Sequence, residues 1–156
     1  MFQIIRGGIL ESYQSYFDID FESGDVRIEV VGDDQVINFK FMIGFFSLPC
    51  FFGTISSLWM GETKKDELDG FGFDFDYYFS VENGYLLIKH RGFDDISNYK
   101  FSFKRFVEAI DKGFSEYLEE QHSKGIYPLK MDEYTHPLSE DVIHNYVLFS
   151  DIIRKG

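Results

Sequence analysis

Carboxylates alternating with apolar residues are the first feature of this sequence that could do chemistry. Asp18, Asp20 and Glu22 alternate with Phe17, Ile19 and Phe21, and Asp25 and Glu29 flank Arg27 on the segment that follows. A period of two places these five acids around one guanidinium on a single strand face. Such a face has two ordinary uses. It keeps sheet edges from aggregating, or it steers and orients a basic partner as a docking surface of one sign. Tyr16 beside it and Tyr78 further along supply aromatic bodies with polar tips, a combination typical of protein-binding surfaces. A calcium site is a weaker alternative, because no D-x-[DN]-x-[DN]-G loop is present to wrap an ion.

A second acidic group holds Asp74 and Asp76, preceded by Asp66, Glu67 and Asp69. Paired carboxylates facing each other across a cleft do acid–base work on glycosides. With His90 they would make a hydrolase, or a small-molecule or metal-binding domain. The register derived below gives Asp76 a partner in Arg91, so an ion pair is the simpler reading. His90 lies on the apolar parity of its segment and reads as a core histidine with a hydrogen-bond partner. Histidines 90, 122, 136 and 144 show no HxxxH or HExxH spacing, and Cys50 is the sole cysteine. A zinc site therefore has no support. Cys50 sits in an apolar stretch that disfavours a thiolate and reads as inert. No GxGxxG, GxxxxGK[ST] or GxSxG motif occurs, so the sequence implies no catalytic residue, metal or cofactor.

The elements that position these residues follow from turns and periodicity. With Ser23-Gly24 as a two-residue loop, Phe21 faces Val26, Ile19 faces Ile28 and Phe17 faces Val30. Asp20 then meets Arg27, Asp18 meets Glu29 and Glu22 meets Asp25. A second turn at Asp33-Asp34 sets Ile37, Phe39 and Phe41 against Val30, Ile28 and Val26. Asn83-Gly84, the preferred pair for a type I′ turn, sets Val81, Phe79 and Tyr77 against Leu86, Ile88 and His90, with Asp76 opposite Arg91. Residues 61–70 (GETKKDELDG) read as a charged, exposed and mobile loop. Residues 41–60 hold 20 residues without a charge, 13 of them apolar, long enough for a membrane span. Pro49 and the interspersed Gly, Ser and Thr argue instead for a strand end and a short buried helix. Ser47 would cap it, Pro49 would sit in its first turn, Gly61 would end it, and its stripe is Phe51, Phe52, Ile55, Leu58 and Trp59. A short strand over 99–103, a helix over 104–122 weakened by Gly113, and a helix capped by Ser139 complete the chain. This is the pattern of a single α+β domain over 1–156. Its antiparallel sheet has five to six strands, an N-terminal meander plus the Asn-Gly hairpin, and helices cover one face, two of them C-terminal.

The chain has 156 residues and a mass of 18.3 kDa, with 15 basic and 27 acidic residues for a net charge of −12. Residues 1–80 carry 14 acids and 5 bases, against 13 and 10 in 81–156. That balance argues against nucleic acid, where affinity comes from neutralised phosphates, and against anionic membrane surfaces. Nineteen Phe and ten Tyr exclude disorder. Residues 1–10 carry Arg6 and two glycines where a signal peptide needs an apolar run, and the lone cysteine suits a reducing, cytoplasmic setting.

In the acidic strands FDIDFES (17–23) and FDFDYYF (73–79) and in FSFKRFVEAIDKGFSEYL (101–118), the chain resembles the small acidic immunity proteins of bacterial polymorphic and contact-dependent toxin systems. The resemblance implies a non-catalytic cytoplasmic inhibitor that binds and neutralises a basic toxin domain. The partner-binding residues expected are Tyr16, Asp18, Asp20, Glu22, Asp25, Glu29, Asp74 and Tyr78. A structural protein that oligomerises through the Phe-rich 41–60 segment is a further alternative.

Overall fold

The computed structural model describes residues 13–156, so the reading of residues 1–10 as lacking a secretory signal lies outside the described residues. The elements are β1 (Gln14–Ile19), β2 (Val26–Gly32), β3 (Gln35–Phe41), α1 (Gly44–Trp59), β4 (Lys65–Gly70), β5 (Phe73–Glu82), β6 (Tyr85–Arg91), β7 (Ile96–Ser102), α2 (Phe103–Ser123) and α3 (Glu140–Lys155). The α+β class stands, but seven strands form two antiparallel sheets, β1-β2-β3 and β4-β5-β6-β7, where the sequence predicts one sheet of five to six. The division arises at β3, which meets the second sheet without pairing along any one strand. Met42 N–H donates to the carbonyl of Gly70, the last residue of β4 (2.9 Å), and Lys40 N–H donates to the Tyr77 hydroxyl of β5 (2.9 Å). The Gln35 amide then bonds both backbone groups of Lys100 on β7 (2.7 and 2.9 Å). One core fills the space between the sheets and the helices. α1 stands at its centre. Phe51 packs on Phe39 and Phe41, while Phe52 meets Phe114 of α2 and Tyr146 and Phe149 of α3.

Two hairpins form as their turn residues require. Asp33 and Asp34 both have positive φ (50° and 62°), as do Asn83 and Gly84 (52° and 82°). The β2–β3 and β5–β6 registers follow, including Val26 opposite Phe41 and Asp76 opposite Arg91. The first hairpin differs from its predicted register by two residues: Phe17 pairs with Ile28, Asp18 with Arg27 and Tyr16 with Glu29. The reason is Asp20. Its carboxylate accepts from the N–H groups of Glu22 and Ser23 (2.9 and 3.2 Å), and its backbone exchanges bonds with Gly24 and Asp25. A side chain that satisfies turn amides makes the longer loop stable. A two-residue shift keeps the apolar set on the same face, so the core is unaffected.

Three further expectations are corrected. Residues 65–70 form edge strand β4 rather than a mobile loop, paired to β5 with Glu67 opposite Tyr78. Charged side chains are normal on an edge strand, which pairs on one side only. α1 starts at Gly44, three residues before Ser47, because the Gly44 N–H finds an acceptor outside its own helix, the Gly24 carbonyl (2.8 Å). Ser47 is therefore buried inside the helix, its hydroxyl without a hydrogen-bond partner, and Pro49 falls in the second turn. Gly113 is a packing requirement: the Ser15 carbonyl oxygen would lie 2.6 Å from a Cβ there. Ser15 Oγ donates to the Ala109 carbonyl at the same crossing (2.6 Å). Ser139 caps α3 as expected, its Oγ accepting from Val142 N–H.

Candidate functional site

Several predicted site residues gather at one end of the molecule. The turn over 20–25 presents exposed Asp20 and Glu22 and half-buried Asp25, one of whose carboxylate oxygens is buried without a hydrogen bond. The bond from Gly44 to Gly24 presses this turn against the start of α1. There Ile43 is held at φ 54° and ψ 63°, a conformation rarely adopted by a β-branched residue. One helical turn on, Phe46 is 54% exposed and packs edge-on against Phe71 (5.6 Å between ring centres). Phe71 also has positive φ (55°). A second aromatic series runs from Phe73 through Phe75 to Phe93, with ring centres 5.8 and 5.4 Å apart. Phe93 is 74% exposed. On the other side of the turn, Phe21 stacks on His136 (5.2 Å) and Phe45 meets exposed Tyr134. Local backbone strain concentrated beside exposed aromatic rings marks recognition surfaces more often than it marks cores.

Carboxylates lie near these residues: Asp20 and Glu22 in the turn bonded to the start of α1, Asp69 accepting from Phe71 N–H (2.6 Å), and Asp94 and Asp95 next to Phe93 in the chain, while Asp74 projects from the outer face of β5 between Phe73 and Phe75. Arg91 stands with Asp74 and Asp76 on that outer face. Its Nε donates to Asp76 (2.7 Å) and its terminal nitrogen reaches Asp76 and Asp74. Among the described residues, Asp18, Asp20, Glu22, Asp25 and Glu29 take part in no ion pair.

The other predicted residues lie elsewhere. Tyr16, Asp18 and Glu29 occupy the outer face of the three-stranded sheet, where Arg27 and Lys40 stand in the same cross-strand row as Asp18. That face is mixed in charge, so the five carboxylates do not form one array. Tyr78 sits on the outer face of the second sheet with the Lys89 ammonium over its ring. Sequence reasoning missed Ile43, Phe46 and Phe93 as surface residues. For Phe93 a signal was present: an aromatic residue inside a turn next to two aspartates is rarely there for the core.

Asp74, Asp76 and His90 do not converge. Asp76 and Arg91 face outward, whereas His90 faces inward and stacks on Tyr77 (4.6 Å). His90 Nε2 is buried without the hydrogen-bond partner expected for it, and burial lowers its pKa from the ordinary value. Burial also pushes Tyr77 up to about 12. The Cys50 thiol is raised by burial and then by Asp69, which leaves it a poor nucleophile. Among the described residues no group of three or more His, Cys, Asp or Glu is placed to hold a metal ion. No described helix is long and apolar enough to cross a membrane. Residues 41–60 contribute Leu48, Phe51, Phe52 and Ile55, all fully buried, to the core, and leave Ile43, Phe46 and Met60 exposed. Comparison with known proteins finds no matching protein-family model, no matching curated protein and no matching solved structure.

Proposed function

We propose that this chain is a non-catalytic binding protein, specifically an immunity protein that neutralises a basic toxin domain in the bacterial cytoplasm. The observation that carries this reading is exposed Phe46, packed on half-buried Phe71, beside the 20–25 turn that bonds the start of its helix and whose carboxylates take part in no ion pair among the described residues. Interfaces draw most of their affinity from a few desolvated aromatic anchors, and charges at the rim set encounter rate and partner choice. Here the rim is negative, so the fitting partner is positive. Asp20 holds its own turn together and is a poor residue to test. The informative variants are Phe46→Asp, which removes the anchor, and Glu22→Lys with Asp74→Lys, which reverses the rim.

The test uses the full chain as bait in native bacterial lysate, at low and then high salt. A stoichiometric basic polypeptide should be retained by the wild type, be weakened by salt, be lost with Phe46→Asp and be reduced with the lysine pair. A partner bound equally by both variants, or an acidic one, excludes this surface.

A further inference from the structure

We propose that the outer face of the four-stranded sheet is a binding trough for a small organic anion with a flat aromatic body. The site is separate from the acidic end and does not depend on the function proposed for it. The register builds the trough from two cross-strand rows. One runs Lys65, Ser80, Leu87, Lys100, and the other Glu67, Tyr78, Lys89, Asn98. Above them opens a cavity of about 860 Å³, within the usual range for small-molecule sites. Four strands spaced about 4.8 Å apart make it about 14 Å wide, enough for a two-ring body.

Charge selects the occupant. The chain has 27 acidic and 15 basic residues, yet here three lysines face Glu67, with Asp66 at the rim. Among the described residues none of these lysines has a carboxylate within ion-pair distance. The Lys89 and Lys100 ammoniums rest instead over the rings of Tyr78 (5.5 Å) and Tyr85 (4.3 Å). An arriving anion therefore displaces no ionic partner, and a lysine held on a ring is already partly ordered. Leu87 and Tyr78 give the floor an apolar surface for an aromatic body. The wall at Lys100 is fixed by the two bonds from the Gln35 amide.

The test titrates 1-naphthyl phosphate into the isotope-labelled full chain and follows amide NMR signals. Signals of Ser80, Leu87, Lys89 and Asn98 should shift saturably. 1-Naphthol and inorganic phosphate should each bind at least about tenfold more weakly, and Lys89→Glu with Lys100→Glu should weaken 1-naphthyl phosphate by about tenfold or more. The remaining spectrum of that variant should be unchanged, which shows that it is folded. No saturable shift at millimolar probe, or equal binding by naphthol or phosphate, overturns the proposal. So does a Glu-rich peptide that shifts these signals when 1-naphthyl phosphate does not, because the occupant is then a protein segment.

Discussion

Val26, Ile28, Val30, Ile37, Phe39 and Phe41, the inward residues of β2 and β3, are all fully buried. β5 buries Tyr77 and Phe79 of an inward row that also holds half-buried Phe73, Phe75 and Val81. The smaller sheet is thus anchored along its whole length, whereas the larger one runs past the core at one end. That overhang puts Phe73, Phe75 and Phe93 in reach of a partner, and the opposite face of the same sheet carries the lysine trough. Burial along the whole of one sheet leaves the other to carry both of the proposed binding surfaces.

The sharpest way to break this contrast is to truncate the anchored side. Phe39 touches the rings of Phe41, Phe51, Tyr77, Phe79 and Phe106. Phe39→Ala should cost about 3–5 kcal/mol in urea unfolding, and a loss under about 1 kcal/mol would show that the sheet is not the anchor. Next comes the tie between the C-terminal helices. Tyr146 donates from its hydroxyl to buried Asp111 (2.7 Å), and Arg154 Nε donates to the other carboxylate oxygen (3.1 Å). Asp111→Ala removes the carboxylate shared by Tyr146 and Arg154 and leaves the tyrosine hydroxyl only the Asp111 backbone carbonyl (3.1 Å), which should cost about 1–3 kcal/mol, read from the denaturant midpoint. Because Arg154 is largely exposed, Arg154→Ala should cost much less.

A smaller effect is expected where the second sheet leaves the core. His90 lies against Tyr77 and Phe75, with Lys40 opposing its protonation and Asp95 favouring it. Its folded pKa lies below the ordinary 6.5. The imidazole contributes its full share of stability above that value, and the share is lost as pH falls from 6.5 through the folded pKa. Urea midpoints on either side of pH 6.5 should show this loss in the wild type and a flatter profile in His90→Gln. The smallest effect belongs to the overhang itself. Phe93→Ala should change stability by no more than about 0.5 kcal/mol, as for an exposed side chain. A larger cost would place Phe93 in the fold and remove it from the recognition strip.

What could be read from the residues alone depended on whether the deciding interaction was local. Asp33-Asp34 and Asn83-Gly84 fix their registers through their own backbone preference, so those pairings were legible. The turn over 20–25 is built by a carboxylate that bonds amides two and three residues on, and a dipeptide rule does not register it. The start of α1 depends on the Gly24 carbonyl, twenty positions away in the chain, and β4 becomes a strand only when β5 is beside it. The same holds for the site. Asp20, Glu22 and Asp74 stood out by composition, but Phe46 looked like one more core phenylalanine in a Phe-rich run. Its exposure follows from where the helix begins.

The Gln35 amide has a consequence for how this protein avoids its own copies. β7 is an outer strand, and the N–H and C=O of Lys100 point to its open side, where an added strand would hydrogen-bond. Gln35 occupies both groups, and the Tyr13 hydroxyl accepts from the next such amide, Ser102 N–H (3.0 Å). Two side chains thus stand in for a neighbouring strand over half of β7. Templated growth from that margin into a fibril has only the short stretch near Ile96 and Asn98 to start from, too little for a stable seed.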